Sequence, residues 1–370
     1  MSVVQIGLLL LASFFLMLAL SVPVSISLIV SSLITVSTAL PLDLGTFVAC
    51  QKMVAGVDSF SLLAVPFFIL TGVLMNTGGI AQRLINLAKC LVGRIPGGLA
   101  HTNIVGNTMF GALSGSAVAA SIAVGGVMLP EEEAAGYDKK FAAAANVASA
   151  PTGLIIPPSG ILIIYAVLSG SSVVGMIMSG YIPGILWCLA CMVVAFIVAR
   201  KNKYPTSERV PVKVLFRYFV EAIPSILLIV IIIGGISSGI FTATESAAVA
   251  VAYTLFLAMV VYKSIKPSDL PGILRDACET TAVIMFLIAA SAVMSFVLSF
   301  TGLPNAIGEA LLSVSDNKYV ILLLINLLLL VAGMFMDITP AVLIFAPIFL
   351  PVVTSFGMDP IHFGIMMVMN

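Results

Sequence analysis

Apolar stretches recur along the whole chain, separated by short breaks rich in Gly, Pro, Ser and Thr rather than by alternating strand-like patterns. Residues 6–20, 185–199 and 226–233 are examples. Several of these runs reach spanning length only with their flanks. The pattern predicts an all-α polytopic membrane protein with about ten to twelve membrane segments, some shortened by Pro or Gly. No basic residue precedes Lys52. The first apolar stretch therefore lacks the charged start of a cleavable signal peptide and reads as a retained span.

A weak internal repeat divides the chain. Shifted by 221 positions, Leu129-Pro130 falls on Leu350-Pro351, Gly136 on Gly357 and Asp138 on Asp359. Each copy is preceded by an apolar run and a polar break, 111–117 in the first and 333–340 in the second. Such repeats are a hallmark of secondary transporters. The expected organisation is a first half at 1–200, a basic connecting loop at 201–217 and a second half at 218–370. The loop region holds Arg200, Lys201, Lys203, Arg209, Lys213 and Arg217, which predicts that it faces the cytoplasm.

The breaks carry the chemistry. Irregular backbone survives at membrane depth only where protein or water covers it. Ser114-Gly115-Ser116 offers two hydroxyls around a flexible residue. The Pro-Thr-Gly-Leu-Ile-Ile-Pro-Pro-Ser stretch at 151–159 holds three prolines, each of which removes a backbone donor and frees a carbonyl. Hydroxyls and free carbonyls are hard oxygen ligands, suited to a small cation. Helix amino ends that follow such breaks favour anions. Small residues also permit close helix packing, which is the competing explanation for any single cluster.

Composition narrows the class. Of 370 residues, 61% are hydrophobic and 9% charged, against roughly 25% charged in soluble domains. Zero formal net charge gives no case for nucleic acid. The five cysteines form no framework, and Cys188 and Cys191 sit in an apolar helix where cysteine behaves as a small hydrophobe. Two histidines are too few for a histidine-based metal site.

Several ordered motifs resemble one family. They are Phe-Gly-Ala-Leu-Ser-Gly-Ser-Ala at 110–117, Gly-Leu-Ile-Ile-Pro-Pro-Ser at 153–159 and Gly-Ile-Phe-Thr-Ala-Thr-Glu-Ser at 239–246. Met-Phe-Met-Asp-Ile-Thr-Pro at 334–340 and the segments 347–351 and 357–364 complete the set. Together they resemble the large membrane (M) subunit of tripartite ATP-independent periplasmic (TRAP) transporters, over nearly the whole chain. The resemblance implies two inverted repeats with re-entrant helical hairpins, in an elevator architecture like that of the ion-transporter superfamily. It implies sodium-coupled import of a small organic acid, such as a dicarboxylate or sugar acid, across a bacterial inner membrane. It also implies a small membrane subunit (Q type), a periplasmic substrate-binding protein (P type) and surrounding membrane lipid as partners. No cofactor is expected beyond sodium as the coupling ion. Family members continue past the position of Asn370, and the repeat offset predicts counterparts of Pro157-Pro158 near 378 and 379.

On this reading Ser114, Gly115 and Ser116 form a first sodium site with backbone from Gly153, Pro157 and Ser159. Asp337 and Thr339 belong to a second. Ser116, Pro158, Ser159, Asp337 and Pro340 would contact the solute, between the two breaks. A carboxylate at membrane depth usually marks function, although Asp337 could instead cap its own helix. Thr242 and Glu245 fit a capping box. Glu131, Glu132 and Glu133 with Lys139 and Lys140 read as a solvated turn. Lys52 and Asp58 read as lying near an interface. An intramembrane protease is the rival, but Asp138 sits beside two lysines in a turn, and no Gly-x-Gly-Asp is present. A channel is the rival within transport.

Overall fold

A computed structural model describes every residue except 1, 158, 207–211, 315–316 and 335. The centre of the basic loop and Pro158 therefore lie outside the described residues. The described chain is helical, with no strand among those residues.

Among the described residues, six helices are long and apolar enough to cross a membrane: Phe60–Thr77, Val173–Asn202, Phe216–Ser237, Ala243–Val261, Pro267–Thr301 and Ile338–Ser355. A seventh candidate is the pair Lys139–Ile155 and Gly160–Ser169, which meet at a bend of 48°. Shorter apolar helices occupy Gln5–Ala19, Val24–Val36, Lys318–Gly333 and Pro360–Met369. Large apolar side chains such as Ile182, Leu186, Val193 and Ile197 stay exposed along one helix. In water that would be costly, but hydrocarbon is their natural solvent.

Contacts group the chain into two compact units. One comprises Met1–Leu62, Ile164–Ser172 and Thr280–Asn370, and the other Leu63–Ile163 and Val173–Glu279. In the second unit, helix Ala243–Phe256 packs along Ala64–Thr77. Leu74, Ala258, Ile265 and Ile273 form one of its cores. Thr242 and Glu245 make the expected capping box, with Thr242 N–H donating to the Glu245 carboxylate at 2.8 Å and Glu245 N–H to the Thr242 hydroxyl at 3.2 Å.

The internal repeat is visible element by element. Helix Ala117–Ala134 in the second unit and helix Ile338–Ser355 in the first have bounds that differ by 221 at both ends. Each follows a break after an apolar helix, Gly98–Ser114 in one copy and Lys318–Gly333 in the other. Each ends in a left-handed glycine, Gly136 at φ 85° and Gly357 at φ 78°. Then an aspartate caps the next helix. Asp138 accepts from Lys140 N–H at 2.7 Å and Phe141 N–H at 3.4 Å. Asp359 accepts from Ile361 N–H at 2.8 Å and His362 N–H at 3.3 Å.

Candidate functional site

The first hairpin tip is made by three residues. Helix Gly98–Ser114 stops because Gly115 adopts φ 64°, a left-handed conformation that other residues resist. Its N–H donates to Gly111 O at 2.7 Å. Ser116 is extended and caps helix Ala117–Ala134, its hydroxyl accepting from Ala119 N–H at 3.2 Å. The Ser114 hydroxyl donates to Ser116 O at 3.5 Å, the long limit of a hydrogen bond. Both hydroxyls thus hold the turn in this structure, while their remaining lone pairs stay available to a cation.

The break at 151–159 lies against the same hairpin arm. Helix Thr152–Ile155 is a single turn, and Ile156 leaves it in extended backbone. The carbonyls of Gly153 and Leu154 have prolines four residues on, at 157 and 158, so no amide can close those helical bonds. A Cβ built on Gly153 would stand 2.2 Å from Gly111 Cα, and one on Gly111 would stand 2.5 Å from Gly153 Cα. The two backbones therefore touch, one turn below the Ser114 tip. Thr108 and Thr152 join their hydroxyls at 2.9 Å across the same contact. Pro157 and Ser159 are buried, and the Ser159 hydroxyl has no hydrogen-bond partner. Buried hydroxyls and carbonyls left open by proline are the kinds of oxygen donor a small hard cation takes.

The second break lies in the other unit. Asp337 occupies the cap position of Ile338–Ser355, equivalent by offset to Ser116, yet its side chain makes no capping bond. The capping explanation for this carboxylate therefore finds no support. Thr339 is half-buried and Pro340 buried in the first turn. Among the described residues no cluster of three His, Cys, Asp or Glu could hold a metal.

The turn of three glutamates corrects the sequence reading. Glu131 pairs with Lys89 at 2.7 Å and Glu133 with Lys139 at 2.9 Å, both partly exposed. Glu132 is fully buried instead. Consecutive helical residues point about 100° apart, so the middle one turns inward, where Asn103 Nδ2 donates to both carboxylate oxygens at 3.4 Å. A buried amide network continues from there. Asn107 Nδ2 reaches Asn103 Oδ1 at 3.0 Å, Asn146 Oδ1 at 2.8 Å and Ser149 Oγ at 3.0 Å. Thr152 Oγ1 then donates to Ser149 O at 2.6 Å, which brings the chain to the break. Beyond the helix end, burial pushes the Tyr137 phenol up to about 12, and its hydroxyl donates to Pro205 O at 3.2 Å. The signal for the network was present in the sequence: Asn103 and Asn107 are four apart on one helix and share a face. Asn107→Leu should lower stability by about 2 kcal/mol, because it leaves buried acceptors unpaired. Thermal unfolding of the purified protein measures this, and an unchanged midpoint would mean the network is slack.

The comparisons with known proteins agree with this architecture. Residues 11–370 match the family described as "Tripartite ATP-independent periplasmic transporter, DctM component". The YgiK protein of Salmonella typhimurium is 52% identical, over 97% of this chain and 82% of its own length. The sialic acid TRAP transporter large permease protein SiaM of Vibrio cholerae is 42% identical, over 87% of this chain and 75% of its own. The C4-dicarboxylate large permease protein DctM of Rhodobacter capsulatus is 35% identical, over 94% and 82%. The crystal structure of the Alcanivorax borkumensis YdaH transporter shares the fold at a TM-score of 0.55 and 15% identity, covering 86% of this chain and 75% of that one. SiaM and DctM are named as large permeases of transporters, so the protease reading falls. With paired hairpin breaks and a family match over nearly its whole length, the chain belongs to the DctM component of the tripartite ATP-independent periplasmic transporters.

Proposed function

We propose that the chain is the translocating subunit of a sodium-coupled importer of a small organic acid in a bacterial inner membrane, working by elevator-type alternating access. A small membrane subunit and a periplasmic binding protein that delivers the solute are its partners. One observation carries the ionic part: the backbone contact of Gly111 with Gly153, which holds the hairpin arm, one turn below the Ser114–Gly115–Ser116 tip, against the break that contains the proline-freed carbonyls. Sodium seeks several oxygen ligands, and neutral ones hold a single charge without trapping it. Gly153 and Pro157 contribute backbone to this first site, and Asp337 and Thr339 contribute oxygens to a second.

The solute is an organic acid because relatives are named for C4-dicarboxylates, sialic acid and 2,3-diketo-L-gulonate. Ser116, Pro158 and Ser159 in one break, and Asp337 and Pro340 in the other, are its proposed contacts. Helix amino ends at both breaks present unpaired N–H groups suited to a carboxylate. The test is uptake by proteoliposomes that hold the full-length chain with its small subunit, supplied with binding protein. An inward sodium gradient should drive accumulation, and replacing sodium with potassium should abolish it. Equal accumulation under both gradients would remove sodium coupling.

A further inference from the structure

A second feature lies apart from the residues of the breaks, within the unit that holds the amino-terminal helices. Helices Leu42–Val57 and Leu270–Thr301 touch at Gly56, where an added Cβ would stand 2.4 Å from Ala292 Cβ. Around that contact a cavity of about 450 Å³ opens, large enough for a small metabolite. Ser291, Ser295 and Ser299 line it at four-residue spacing, so all three hydroxyls share one helix face, and Ser59 lines it from the other side. Lys52 is the sole charged residue among those lining the cavity. Its Nζ stands 5.3 Å from the centre of the Phe296 ring, which also lines it. A cation over an aromatic face is held in place without neutralisation.

The chemistry is complementary to an oxyanion. A lysine with no carboxylate in the same cavity carries uncompensated positive charge. Ser291 already donates to Ile288 O at 2.8 Å, which leaves Ser59, Ser295 and Ser299 as hydroxyls that can donate to a ligand oxygen. A cationic ligand would meet repulsion, and a purely apolar one would give these polar groups nothing to pair with.

We propose that this cavity is a second binding site for the transported organic acid, apart from its contacts at the breaks, with Lys52 as counter-charge to the carboxylate and Ser59, Ser295 and Ser299 as donors. The inference rests on the solute class argued above. Its test probes the cavity directly rather than uptake. Ser295→Cys in the full-length permease with its small subunit, in phosphatidylcholine nanodiscs, provides a thiol whose alkylation by N-ethylmaleimide is followed by peptide-resolved mass spectrometry. The probes are succinate and N-acetylneuraminate, each against its neutral amide.

At least one acid should slow alkylation, and its amide should not. Adding Lys52→Gln should raise the half-protecting concentration about tenfold, the loss of one charge-assisted bond. Lys52→Arg should stay within about threefold of lysine, since its charge is kept. Protection by neither acid, or equal protection by acid and amide, overturns the proposal. So does protection by phosphatidylglycerol in place of the acids, which would make the cavity a lipid headgroup site. If acids protect while the sodium gradient fails to drive uptake, the cavity stands and the coupling reading falls.

Discussion

Gly153→Val is expected to abolish uptake and to lower the stability of the purified protein by more than about 3 kcal/mol, the upper range for overpacking. The reason is geometric. A Cβ there would meet Gly111 Cα at 2.2 Å, Gly111 C at 2.6 Å and Ala112 N at 3.2 Å, all of them backbone. Flexible side chains can swing aside, but a helix backbone must be pushed bodily away. The contact being pushed is the one that holds the hairpin arm to the broken helix. The molecule contains its own control. Gly126 lies in helix Ala117–Ala134, and an added Cβ there meets nothing within 4 Å. Gly126→Ala should therefore be neutral or stabilising by up to about 1 kcal/mol, through helix propensity. Thermal unfolding of both variants decides the matter. If Gly153→Val unfolded at the same temperature as Gly126→Ala, the close approach would not exist in the folded protein.

The second large effect is expected at the hairpin tip. In full-length protein with its partners, Ser116→Gly should raise the sodium concentration for half-maximal uptake about tenfold, equivalent to about 1.4 kcal/mol for one lost oxygen ligand. Glycine is chosen because it caps a helix almost as well as serine, within a few tenths of a kcal/mol, so folding is little disturbed. Ser116→Ala removes both cap and ligand and should also cost about 1 kcal/mol of stability. Ser116→Thr keeps both and should resemble the parent. Binding-protein docking, measured by surface plasmon resonance, should change less than the sodium response in every case. If Ser114→Ala and Ser116→Ala both left the sodium activation curve unmoved, these hydroxyls would serve only the hydrogen bonds to Ser116 O and from Ala119 N–H.

Much of this architecture was legible before any coordinates, and the reason is local. Gly115 and Ser116 at the first tip, and Gly136 and Asp138 with their counterparts Gly357 and Asp359, act on the backbone within one turn, so their spacing survives as sequence. The Thr242–Glu245 box is local in the same sense. Failures came where a role depends on which way a helix faces. Glu132 reads as one of three equivalent surface carboxylates, and only the helix packed against it reveals that it turns inward to Asn103. The cavity beside Lys52 was not legible for a related reason: its other walls come from segments more than a hundred residues further along the chain. The Gly111–Gly153 contact lies between these cases, since each glycine was visible within a motif but their meeting was not.

The two hairpins start their second arms at equivalent positions, yet one cap residue is a neutral alcohol and the other an acid. That inequality has an electrical consequence. A monovalent cation held by Ser116 and carbonyls would travel as a net positive charge, and moving one elementary charge through 100 mV releases about 2.3 kcal/mol. The same cation beside ionised Asp337 would travel as a neutral pair, and the bare carboxylate would carry the charge when the empty site returns. Each cation therefore brings one net charge across per cycle at either site. The unequal twins differ in the stroke on which the voltage acts, the loaded crossing for one repeat and the empty return for the other.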